Sequence, residues 1–105
     1  MADPCEKLLH KVEASITLAS SQDLSILRNQ LTQLIAKYDM PVRLILVHRA
    51  KGTQYLSLRP KSGFVMTLPE GFYTELSKFS YQRHISFSMN VIFRNEIPQI
   101  KIELE

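Results

Sequence analysis

The hydrophobic period of this chain changes at Pro41. Before it, apolar residues recur every three or four positions, the spacing of a helix stripe. After it, they recur at every second position, the spacing of a strand face. A chain carrying both periods must bury helical stripes against one side of a sheet, so the fold class expected is α+β.

The helical part covers 1–38. Over 3–18, Leu8, Leu9, Val12 and Ile16 share a face, while Glu6, Lys7, Lys11 and Glu13 take other positions. The rhythm breaks at Ser20-Ser21, and a second helix fits 22–37, with Leu24, Leu27, Leu31, Leu34 and Ile35 as its apolar stripe. The two segments form either a helical hairpin or one bent helix; the sequence is compatible with both. Asp39 and Pro41 end the element, because a proline pushes the residue before it out of helical geometry.

The sheet part covers 42–105. Val42–His48 and Gln54–Arg59 read as a hairpin around Ala50-Lys51-Gly52, and Phe64–Leu68 as a third, short strand. Pro69 and Glu70 suit the first turn of a short helix over 70–79, whose face is Phe72, Leu76 and Phe79. Ile85, Phe87, Met89, Val91 and Phe93 alternate with polar residues, and Ile100, Ile102 and Leu104 do the same in the last segment. Pro98 lacks a ladder donor, which favours an edge or the first residues of a strand. The expected order is α-α-β-β-β-α-β-β: a mainly antiparallel sheet of about five strands with one inserted helix. Phe87, Val91, Ile100 and Ile102 are expected beneath the helices. A chain of 105 residues supports one domain, 1–105, with a core of its own.

Charge is uneven along the chain. The net charge is +3, yet residues 1–38 hold four basic and four acidic side chains, so the excess belongs wholly to the second part. Cys5 is the only cysteine, so no disulfide forms within the chain. No run approaches the ~20 apolar residues of a membrane span, and no signal-peptide pattern opens the sequence. The expected location is intracellular, in cytoplasm or nucleus.

Reactive constellations are not legible. His10, His48 and His84 lie in three different elements without metal-ligand spacing, and His10 lies about 140° around a helix from Cys5. Gly52, Gly63 and Gly71 build no phosphate-binding loop. No enzyme, cofactor or metal is expected; a His48 or His84 site assembled with a carboxylate in space is the remote alternative.

What remains are surfaces. Leu18, Leu24, Ile26 and Leu27 crowd the helical junction beyond one stripe, and the last strand, if an edge, offers unpaired backbone groups. The functional expectation is a non-enzymatic protein–protein interaction module, an adaptor or assembly subunit that binds a protein partner or itself. Its expected contacts are Leu24, Leu27, Leu31, Ile100 and Ile102. The alternative is nucleic-acid binding through the basic hairpin 43–61, with Arg43, Arg49, Lys51, Arg59, Lys61 and Arg83 as phosphate contacts. Tyr55 and Tyr81 are the aromatic candidates for stacking beside them.

Overall fold

A computed structural model of the chain describes residues 22–50 and 52–105. The helix expected over 3–18 lies outside the described residues, as do Cys5, His10 and Leu18, and with them the choice between a hairpin and a bent helix. The described elements are α1 (22–37), β1 (Val42–His48), β2 (Gln54–Pro60), α2 (Glu70–Arg83), β3 (Phe87–Arg94) and β4 (Ile97–Leu104). The strands form one four-stranded antiparallel sheet in the order β1-β2-β4-β3. The class is α+β, as the change of period implies.

Both described helices present their stripes to the same core. Leu24, Leu27, Leu31 and Leu34 from α1 join Phe72, Leu76 and Phe79 from α2, over Leu56 and Leu58 of β2 and Ile100 and Ile102 of β4. Burying each such side chain contributes about 1.5–3 kcal/mol. In the register, Leu44 faces Leu58, Leu56 faces Ile102, and Leu58 faces Ile100, so leucine and isoleucine run across the central strands on one face.

The two helices end by the same device. Asp39 takes a left-handed conformation (φ 47°), and the Met40 N–H then donates to the Ile35 carbonyl. His84 does likewise (φ 54°), and the Ile85 N–H donates to the Ser80 carbonyl. In each case the next residue, Met40 or Ile85, is buried and plugs the core. His84 is therefore a helix terminator, not the first residue of a strand.

Three expectations need correction. First, 64–68 is not a strand. The side of β2 that a third hairpin strand would use is taken by β4, and Phe64 and Val65 are exposed after a turn closed at Gly63 (φ 85°). Among the described residues the sheet therefore has four strands, one fewer than expected. Second, α2 continues one turn beyond Phe79 to Arg83, through polar residues that carry no periodic signal. Third, the terminal strand β4 is central, and the edges are β1 and β3. Ladder pairing between β2 and β4 is short: Leu56–Leu58 against Ile100–Ile102.

Burial along β3 also departs from the expected pattern. Phe87 and Met89 pack on the core, but Val91 is 63% and Phe93 72% exposed on the same face. Alternation identified the face correctly; the cover given by the described helices ends before the strand does.

Gly71 has a specific reason to lack a side chain. A Cβ there would lie 2.1 Å from Tyr38 Oη and 2.8 Å from its Cζ. Tyr38 donates its hydroxyl to Glu75, and Lys37 Nζ reaches the same carboxylate at 2.6 Å, joining the end of α1 to the first turns of α2. Hydrogen bonds from Lys37 and Tyr38 hold the Glu75 carboxyl below its ordinary value.

Two stability outcomes follow from this geometry. Gly71→Ala, which in an open helix gains about 1 kcal/mol, is expected to cost about 1–3 kcal/mol here by displacing Tyr38. In a Tyr38→Ala background the same substitution should cease to be harmful; thermal melts of the four chains check it. The β3–β4 turn, Asn95-Glu96, has positive φ at both residues (52° and 66°), the conformation that favours Asn-Gly. Glu96→Gly is expected to raise stability by about 1 kcal/mol, measured by denaturant unfolding.

Candidate functional site

The helix-covered face of the sheet is apolar. The opposite face carries the polar halves of the same alternations. Arg43, Ile45 and Val47 extend along β1, with Arg49 just past its end, and Tyr55, Ser57 and Arg59 along β2. Gln99, Lys101 and Glu103 follow on β4, and Ser88, Asn90, Ile92 and Arg94 on β3. Ser57, small and surrounded by longer neighbours, is 1% exposed.

At one end, Tyr55 is the centre of a charged cluster. The Arg49 guanidinium lies 4.9 Å and the Lys101 ammonium 5.1 Å from its ring centre, each within cation–π range. Both cations also reach Glu103, at 2.7 Å and 3.2 Å. Burial pushes the Glu103 carboxyl up, but hydrogen bonds from Lys101 and Arg49, reinforced by their charges, outweigh it and hold the group below its ordinary value. At the other end, Arg43 and Arg59 are cross-strand partners. Arg59 Nε donates to Ser57 Oγ at 3.3 Å. Among the described residues, no carboxylate forms an ion pair with Arg43, Arg59 or Arg94.

The basic residues expected to act together are only partly assembled. Arg43, Arg49 and Arg59 share the open face. Lys61 stands just beyond β2, its N–H donating to the Pro41 carbonyl. Arg83 belongs to the last turn of α2, in a cleft of about 290 Å³ with Gln30, Glu75 and Gln82. Lys51 lies outside the described residues. Two residues missed from the basic set, Lys101 and Arg94, join it because β4 and β3 complete the sheet. Their polar-face positions were readable from the alternation, but the strand order that makes them neighbours was not.

The five apolar contacts expected to face a partner are placed differently. Leu24, Leu27, Leu31, Ile100 and Ile102 are all buried in the chain's own core, because β4 is a central strand and α1 turns its stripe onto it. The exposed apolar residues lie elsewhere. Val91 and Phe93 are on edge strand β3, and Tyr73 and Tyr81 border a groove of about 480 Å³ between α2 and β3, floored by Leu76, Phe87 and Met89.

His48 Nδ1 lies 2.8 Å from Gln54 Nε2 and His84 closes α2. Among the described residues, no three His, Cys, Asp or Glu side chains are grouped to hold a metal ion, and no helix is long and apolar enough to cross a membrane. Comparison with known proteins found no matching family model, curated protein or solved structure.

The cluster around Tyr55 has a pH signature. A carboxyl held below its ordinary value near 4.5 adds stability above that pH, and the contribution is lost as pH falls through the lower, folded-state value. Arg49→Gln is expected to move the Glu103 titration, followed by carboxyl-carbon NMR, upward toward the ordinary value. An unmoved titration would remove Arg49 as a cause.

Proposed function

We propose that this chain is a non-enzymatic protein–protein interaction module, an adaptor or a subunit of an assembly, whose contact element is the edge strand β3 with the groove beside it. The observation that carries the reading is the exposure of Val91 and Phe93 on a strand whose outer backbone groups have no ladder partner among the described residues. Edge strands are ordinarily protected by charge, proline or a bulge. Between its ends β3 has no charged residue, proline or glycine; its one charge is Arg94, at the last position. Strand addition uses such an edge for backbone bonding and neighbouring pockets for side chains.

A second copy of the chain fits this edge. In an antiparallel self-pairing centred on Val91, each Met89 stands opposite Phe93 of the other copy, and each Arg94 stands opposite Ser88. On the helix side of the sheet apolar residues meet apolar ones, on the open face Ile92 meets Asn90, and no two like charges are opposed. The other edge, β1, carries Arg43 within the strand and keeps Leu44 and Leu46 half-buried against the core.

Sedimentation equilibrium tests the reading. The wild-type chain is expected to self-associate with concentration. Val91→Lys, which places two ammonium groups face to face, should weaken association about tenfold or more, with the fold intact because Val91 is exposed. A wild-type chain that stays monomeric at its solubility limit would discard the second copy as partner, and equal association by the variant would remove Val91 from the interface.

A further inference from the structure

We propose that the open face of the sheet is a binding surface for single-stranded nucleic acid, with Arg43, Arg59 and Arg94 taking phosphates and Tyr55 a base. Five cationic side chains, Arg43, Arg49, Arg59, Arg94 and Lys101, stand on this face or at its rim, against the carboxylates of Glu103 and, just past the end of β4, Glu105. That surplus of three matches the +3 of the whole chain. Lys101 and Arg49 already neutralise Glu103, which leaves the three arginines at the other end for an external anion.

Opposed like charges destabilise a sheet, and Arg43 faces Arg59 directly in the β1–β2 register. Among the described residues no carboxylate pairs with either guanidinium, and a bound phosphate relieves the repulsion. Arginine forks match phosphate oxygens in pairs. Arg43 and Arg59 stand side by side on β1 and β2; their row continues through Gln99 of β4 to Ile92 of β3, and Arg94 lies two residues farther along β3, so the three arginines border one end of the face across about 14 Å of sheet. Ile45, Val47 and Ile92 are half-buried on the same face and give flat apolar ground. Planar bases use such ground, and the carboxylates of an acidic peptide do not, which is why nucleic acid is favoured over an acidic protein.

The surface meets the edge proposed for protein contact only at Arg94, the last residue of β3. Strand addition at β3 leaves the rest of the open face uncovered, and Arg43 and Arg59 lie toward the other margin of the sheet. Failure of one proposal leaves the other standing.

Fluorescence anisotropy with the full chain and a labelled oligouridylate of about 12 nucleotides, read at several salt concentrations, tests it. Binding is expected to weaken with salt with a log–log slope of about −0.7 for each phosphate held, hence about −2 for three. Arg43→Gln with Arg59→Gln should reduce that slope by about 1.4 and weaken binding about tenfold, while Tm stays level or rises as the repulsion is removed. If the double variant fails to fold, Arg43→Gln alone serves, since Arg43 is exposed. Absence of binding at low salt would overturn the proposal, as would undiminished binding by the variant. Equal affinity for polyglutamate or for a duplex of the same length would overturn it too.

Discussion

Both described helices rest on one strip of four side chains: Leu56 and Leu58 from β2, Ile100 and Ile102 from β4. These residues come from the two central strands, so they are flanked by neighbours within the sheet and covered by helices above. A dry, two-sided strip of this kind fixes much else. It sets which face of each strand is apolar and leaves β1 and β3 at the margins. It also draws the leucines of α1 inward, away from any outside contact.

What the fold leaves unsatisfied falls into two places with different chemistry. One is the margin at β3, where apolar side chains outrun their helical cover beside backbone groups with no ladder. The other is the back of the sheet, where the alternation that builds the core also gathers arginines. The first suits a partner that brings apolar surface and a strand, and the second a partner that brings negative charge. The two surfaces meet only at Arg94; otherwise one lies at an edge and the second on a face.

Much of this architecture is legible in the residues. Alternation along Gln54–Arg59 and through the last strand names the buried and polar faces correctly, because a side-chain period of two leaves no ambiguity once a segment is a strand. The stripe of α1 is equally plain in Leu24, Leu27, Leu31 and Leu34. Position within the sheet is another matter. Pro98 made the terminal strand look like an edge, yet Pro98 sits at the start of β4 opposite Phe93, and Ile100 and Ile102 are central. Strand order depends on which edges remain free after distant segments have paired, and no local pattern records that. The same blindness explains Phe64–Leu68, whose composition suits a strand but whose expected place beside β2 is taken by β4. It also explains why Leu24 and Ile100 read as contacts: an apolar face is visible in sequence, but what covers it is not. The open-face cluster was half visible, through the basic hairpin, and became whole only when Lys101 and Arg94 were brought alongside.

The short ladder between β2 and β4 has a consequence for how the molecule assembles. Each of the two hairpins, β1–β2 and β3–β4, closes over a turn of a few residues and can zip locally. The seam joining them unites Leu58 with Ile100, about forty residues apart, and rests on only three residue pairs, too little to repay the entropy of closing so long a loop by backbone bonding alone. The seam must therefore await the apolar cover of the helices. Suture and roof are then expected to form together, at the midline of the sheet.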